Sequence, residues 1–368
     1  MKKQKPGLRE ILSSAVFILI IGALFALNFI IPAPAVLLSE RRVPAKFPDF
    51  SADTVLSGSF MGKFDDYASD RFVFRDTFRR INSFLMFDVY MLSDKSGLYR
   101  SKEVGAGEFV RTNATSFRQS TERIKRAAGG LDGLEMNIYY SIVPDKSLFA
   151  GGYMPGFDLG AAESILHEML GDYEYISLID DLTAGDFYKT DLHWDQTKIA
   201  AVADRLLTAM GAPGAGKDYR SIKAGEFKGV YAGQLALPMA ADTMSYIDIE
   251  GVRASYLNEK TLEFDSGPVY DVDRFSGVDP YDLFLRGPQP LIILENDSAP
   301  ARELFVFRDS FGSSLAPLLT GSYSKVTLVD LRYIHMMMLD QFIELTPGSD
   351  VLFIYSSQIF NNPSVLLA

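Results

Sequence analysis

The chain has 368 residues, no cysteine and a formal net charge of −11. That length suits one large domain with an appendage, or two domains, and the missing cysteines exclude disulfide staples, thiolate metal sites and a cysteine nucleophile. Without its basic leader the remainder is more acidic still, which speaks against nucleic acid as a partner and against a polyanionic substrate held by bulk charge.

Residues 1–10 carry Lys2, Lys3, Lys5 and Arg9 and read as a cytoplasmic leader. Residues 11–31 follow without a charge, diluted only by Ser13, Ser14 and Asn28. A helix needs about 20 mostly apolar residues to cross a bilayer, and the basic flank is expected to stay inside, so residues 11–31 are expected to anchor the chain once, with the folded part outside the cytoplasm. A cleaved signal peptide ending near Ala33-Pro34-Ala35 is the competing reading. The run is long for a signal h-region, and Pro32 and Pro34 fit a helix stop and a stiff exit.

Residues 32–110 read as a linker and a helical collar, with Phe60, Phe64 and Tyr67, then Phe78, Ile81 and Leu85, at helical spacing. Arg71, Arg75, Arg79 and Arg80 form a basic run that could meet lipid headgroups or an anionic glycan, but a solvated helix face accounts for it more simply. Residues 111–368 alternate strand and helix patterns. Strands are expected at Met136–Val143, Tyr175–Ile179, Leu304–Phe307, Val326–Val329 and Val351–Tyr355, with helices near 165–170, 199–210, Gly312–Leu319 and Met336–Ile343. Between about 211 and 300 Gly, Pro, Asp and Tyr are frequent, and short β-like pieces occur at Met244–Ile249 and Leu291–Leu294, which reads as an inserted β-rich subdomain. The order predicts an α/β fold with a doubly wound parallel sheet, an insertion, and one transmembrane helix ahead of it.

Three histidines exist, at 167, 193 and 335. His193 lies in Thr190-Asp191-Leu192-His193-Trp194, where residues two apart in an extended segment share a side, so Asp191 can orient the ring. Ser310, in Arg308-Asp309-Ser310-Phe311-Gly312, follows an apolar strand and opens a helix, where a hydroxyl can stand at the sheet edge beside free backbone N–H groups. Asp191, His193 and Ser310 are the candidate catalytic residues. A histidine beside an acid is also an ordinary structural pair, and serine is a routine helix N-cap. His167 reads as a surface or packing residue and His335 as core. A metal site is disfavoured because no second histidine lies near His193 at ligand spacing, although Asp191 and Asp195 leave room for a hard cation, and no cofactor is expected.

The set Thr190-Asp191-Leu192-His193-Trp194, Asp309-Ser310-Phe311 and Asp330-Leu331-Arg332-Tyr333 resembles the DHHW protein family, relatives of the periplasmic alginate O-acetyltransferases. Phe47-Pro48, Phe72 through Asp76, Val143-Pro144-Asp145-Lys146 and Tyr281 through Phe284 are similar to family segments as well. The resemblance implies an SGNH-hydrolase-like fold with Asp191 and His193 as its acid–base pair and Ser310 as its serine. Asp309, Trp194, Arg332 and Tyr333 are then expected to line the site. Leu192 departs from the histidine of the family name, and Arg308 stands where related hydrolases have glycine. The expected function is a membrane-anchored, extracytoplasmic serine enzyme, an O-acetyltransferase or O-acetylesterase of a cell-envelope polysaccharide. A membrane-bound O-acyltransferase would supply the acyl group. The alternative is a non-catalytic glycan-binding or scaffold protein of such a complex, and the two part on whether Ser310 meets His193.

Overall fold

The computed structural model describes residues 7–37, 39–151, 156–214 and 219–367, so Lys2, Lys3 and Lys5 of the expected leader lie outside the described residues. The chain divides into two compact units: Met1–Leu92 with Gly233–Pro238, and Ser93–Ala232 with Met239–Ala368.

In the smaller unit, α1 (Leu8–Ile30) is the one helix among the described residues long and apolar enough to cross a membrane, and none of its residues is buried. Its 23 residues rise about 34 Å, enough for the ~30 Å hydrocarbon core. Helices α2 (Ala52–Leu56), α3 (Ser59–Arg71) and α4 (Arg75–Phe84) follow, the last running into a π turn over Leu85–Val89. The aromatic spacing predicted for α3 forms a cluster: Phe60 and Phe64 stack at 6.0 Å, and Phe47 meets Tyr67 edge-on at 5.2 Å.

The arginine run is not the solvated face expected of it. Arg75 and Arg79 both pair with Glu40, Arg79 also donates to the Gly233 and Gln234 carbonyls, and the Arg71 guanidinium lies over the Tyr67 ring. Helical period locates a stripe of charge but not what packs on it. A second ion pair, Arg42 with Asp70 at 2.6 and 2.5 Å, is bidentate; Arg42 and the Ala45 N–H hold the Asp70 carboxyl down to about 2.

In the larger unit β1 (Leu98–Ser101) and β2 (Gly105–Glu108) form an antiparallel hairpin. There follow α5 (Ala114–Gly129), β3 (Asn137–Val143), α6 (Leu159–Leu170), β4 (Glu174–Tyr175) and α7 (Ala200–Ala209). The chain continues with β5 (Ser221–Phe227), α8 (Val230–Leu235), β6 (Asp242–Ile247), β7 (Val252–Leu257), β8 (Phe264–Gly267) and β9 (Leu291–Asn296). It closes with β10 (Glu303–Arg308), α9 (Phe311–Leu319), β11 (Lys325–Val329), β12 (Asp350–Ser356) and α10 (Ser357–Phe360). Met336–Gln341, expected as a helix, is a 3-10 turn, and the strand expected at Tyr175–Ile179 stops at Tyr175.

Eight strands form one sheet in the order β4-β3-β12-β10-β11-β9-β7-β8. The fold is mixed α/β, not all parallel as expected. Strands β4 to β11 run parallel, while β9, β7 and β8 are each antiparallel to the neighbour before them in that order. The region 211–300 is therefore only partly a separate insertion: β5 and β6 pair with each other, but β7, β8 and β9 extend the main sheet. In β10, Leu304 and Val306 face a core shared with α7 and α9, while Phe305 and Phe307 face one shared with α5 and α6. Covering both faces explains why β10 and β12 read as unbroken apolar runs. From β10 the chain goes to β11 on one side and returns to β12 on the other, which opens a crevice at the carboxyl ends of β10 and β12.

Candidate active site

Ser310 stands at the carboxyl end of β10 as the residue before α9, yet its side chain makes no capping hydrogen bond. Its Oγ lies 2.8 Å from His193 Nε2. Asp309 anchors the turn instead: one carboxylate oxygen accepts from the Phe311 N–H at 3.0 Å and the other from the Ser356 N–H at 2.8 Å, tying the turn to the end of β12. Glycine is absent before Asp309, but the turn has its small residue on the other side. A Cβ on Gly312 would come within 2.6 Å of Arg308 Cβ, so only glycine lets α9 start this close to β10.

Asp191 and His193 come from the loop before α7 and are both buried. His193 Nδ1 lies 2.7 Å from Asp191 Oδ1, and the His193 N–H donates to the same oxygen at 3.2 Å. The second carboxylate oxygen accepts from the Val230 N–H at 3.1 Å. With the acid fully shielded, the Nδ1–H tautomer is favoured and Nε2 is left as acceptor toward Ser310.

The N–H groups opening α9 are mostly taken. Phe311 N–H goes to Asp309 as described, Gly312 N–H to the Asp309 carbonyl, and Ser313 N–H to the Ser310 carbonyl. Ser310's own N–H donates to no protein acceptor among the described residues.

The residues expected to line the site are placed differently from one another. Trp194 is fully buried; its indole N–H donates to Ser314 Oγ at 2.8 Å and its ring meets Phe311 edge-on. Both Asp309 oxygens are committed to backbone. Arg332 is engaged by the buried Asp330 carboxylate at 2.8 and 2.7 Å, which, against the cost of burial, raises its pKa. Tyr333 lies beside the Arg332 guanidinium and is half exposed. No hydrogen bond or ring contact joins Arg332 or Tyr333 to Ser310 or His193 among the described residues. Asp330 also draws Arg308 Nη1 to 3.4 Å, while burial lowers the Arg308 pKa. His167 is exposed on α6 and His335 caps a 3-10 turn. No three of His, Cys, Asp and Glu cluster as a cation site among the described residues.

No protein-family model and no curated protein matches the chain. Solved structures do. A DHHW family protein from Eubacterium siraeum superposes with a TM-score of 0.57 at 17% identity, covering 72% of this chain and 93% of that one. Bacillus cereus PatB1 gives 0.54 at 16% identity, covering 72% and 96%, and its structure with a sulfonyl adduct gives 0.55 at 17%, covering 71% and 94%. The chain shares the fold of a DHHW family protein.

Within this DHHW-like fold, several residues around the site were not singled out as functional from the sequence. Tyr281 stacks on His193, and its hydroxyl donates to Ser314 Oγ at 2.7 Å. Lys146 is buried and donates to the Tyr188 and Asp191 carbonyls, both at 2.8 Å; burial pushes its pKa down to about 8, opposed by Asp191, Asp145 and Asp242. Asp242 accepts from the Lys189 and Thr190 N–H groups and from the Thr190 hydroxyl, fixing the loop just ahead of Asp191. Burial drives the Asp145 carboxyl upward. Asp145, Lys146, Leu192, Phe311, Ser357 and Gln358 line a narrow cleft at the ends of β3 and β12. Tyr281 and Lys146 both fall in the segments that carried the family resemblance, the one sequence signal that pointed at them.

Proposed function

We propose that this protein is a membrane-anchored, extracytoplasmic serine acyl-transfer enzyme with an SGNH-hydrolase-like site, moving an acetyl group onto or off hydroxyls of a cell-envelope polysaccharide. The observation that carries the proposal is the 2.8 Å approach of Ser310 Oγ to His193 Nε2 while Nδ1 is held at 2.7 Å by the buried Asp191. The fold shared with a DHHW family protein and the motif resemblance support the same reading. The basic flank and the length of α1 support a single pass with the N-terminus cytoplasmic and the folded part, about residues 32–368, outside.

In the proposed reaction, His193 Nε2 takes the Ser310 proton as Oγ attacks the donor's carbonyl carbon. The Ser310 N–H donates to the oxyanion, and Asp191 stabilises the imidazolium without taking its proton. Collapse breaks the bond to the donor oxygen, which leaves with the proton from Nε2, and Ser310 is acylated. A sugar hydroxyl or water then gives its proton to Nε2 and attacks the acyl carbon; Ser310 leaves and regains the proton. The acyl donor is presented by a membrane-bound O-acyltransferase partner.

The test is release of p-nitrophenol from p-nitrophenyl acetate by the full chain in detergent, beside Ser310→Ala, with mass spectrometry after treatment with a sulfonyl fluoride. The expected result is turnover and a Ser310 adduct in the wild type and neither in the variant. Equal release by both, with no adduct, would replace the enzyme with the scaffold.

A further inference from the structure

In the smaller unit, α4 is built inside out for a protein in water. One polar strip is covered: Arg75 and Arg79 reach Glu40, Arg79 caps the Gly233 and Gln234 carbonyls, and Ser83 donates to the Leu235 carbonyl, while Asp76, Thr77, Arg80 and Asn82 stay exposed. Its apolar face is open. Phe78, Ile81 and Leu85 form one stripe at helical spacing, extended by Phe74 at the N-cap, and these four are 37–54% exposed. A surface helix of a soluble protein turns such a stripe to the core.

The level of this stripe is fixed by a contact to α1. The Val73 N–H, one residue before Phe74, donates at 2.8 Å to Asn28 Oδ1, in the last turn of α1. The start of α4 is thus pinned to the outer end of the apolar segment.

We propose that α4 lies in the outer leaflet's interface, Phe74, Phe78, Ile81 and Leu85 entering the acyl region of the bilayer that α1 crosses. The occupant of the apolar face is phospholipid. The proposal rests on the single-pass reading of α1. It gives the collar a role beyond tethering: a second, in-plane attachment that fixes how the smaller unit is tilted on the membrane.

Because the chain has no cysteine, single cysteines can each carry one environment-sensitive fluorophore. The full chain is reconstituted in phosphatidylcholine and phosphatidylglycerol vesicles containing nitroxide-labelled lipids, with the label at Leu19→Cys, Phe78→Cys, Ile81→Cys or Lys125→Cys. Phe78→Cys and Ile81→Cys are expected to dim about twofold with nitroxide near the headgroup, Leu19→Cys with nitroxide deep in the chain, and Lys125→Cys with neither. Quenching at Leu19 but at neither Phe78 nor Ile81 overturns the interfacial helix, leaving the face to a protein partner, and keeps the spanning helix. Absence of quenching at Leu19 as well overturns the single-pass reading itself.

Discussion

The imidazole of His193 lies flat against the ring of Tyr281, with centroids 3.7 Å apart and planes 7° from parallel. Tyr281 is itself immobilised, because its hydroxyl donates to Ser314 Oγ, which also accepts from Trp194 and donates to the Phe311 carbonyl. The stack holds the ring in the plane in which Nδ1 meets Asp191 and Nε2 meets Ser310. Tyr281→Phe keeps the stack and loses one buried hydrogen bond, about 1 kcal/mol of stability, with esterase turnover close to wild type. Tyr281→Leu removes the stack and is expected to cut turnover about tenfold, the size of a lost aromatic pair. Thermal melts and p-nitrophenyl acetate kinetics on the pair separate the two effects.

Asp191→Asn preserves shape and removes the charge that orients His193. The Val230 N–H can still find the side-chain carbonyl, so the loop keeps its place. If the proposed mechanism holds, turnover at neutral pH falls on the order of 10³- to 10⁴-fold, as in serine triads given an amide in place of the acid. Circular dichroism should be unchanged. A loss of less than tenfold would remove Asp191 from the mechanism.

Gly312→Ala places a methyl against Arg308 Cβ and presses on both sides of the serine turn. Overpacking of this kind costs about 1–3 kcal/mol. A lowered melting temperature and a lower kcat are both expected, because the displaced residue is the neighbour of Phe311 on the turn that carries Ser310. Arg308→Gly in the same background removes the Cβ that the methyl meets and should restore part of the melting temperature, which a nonspecific defect in α9 would not permit.

Lys146 gives a pH signature. Burial holds its pKa near 8, below its ordinary 10.5, so between those values the unfolded chain binds more protons than the folded one. Stability contributed through this group is therefore lowest below pH 8 and rises as pH climbs toward 10.5. Urea unfolding at pH 7.5 and 9.5 should show the stability difference, wild type minus Lys146→Met, becoming more positive at the higher pH. A difference independent of pH would mean that Lys146 keeps its proton in the folded protein through pH 9.5, so that burial does not lower its pKa.

The parts of this protein visible in its sequence are those specified locally. Ser310 after an apolar strand, and Asp191 two residues from His193, are short-range patterns, and each lies in the loop the pattern implied. Strand positions were legible for the same reason, but strand direction was not. Leu291–Leu294 and Leu304–Phe307 are equally apolar, and nothing local records that β9 runs against β11 while β10 runs with it. Tyr281 and Lys146 reach the site from distant parts of the chain, so their contacts leave no periodic trace. A helical stripe of arginines looks alike whether water or the Gly233 and Gln234 carbonyls cover it, so sequence alone leaves this face of α4 undetermined.

His193 and Ser310 are separated by 117 positions, and strands β7 to β10 of the central sheet are laid down between them. In the proposed mechanism the Ser310 hydroxyl meets its base only as a product of long-range closure: a partly folded chain carries all three side chains and no activated oxygen. Hydrolysis of a simple ester would then double as an assay for completed folding, switching on after secondary structure has formed.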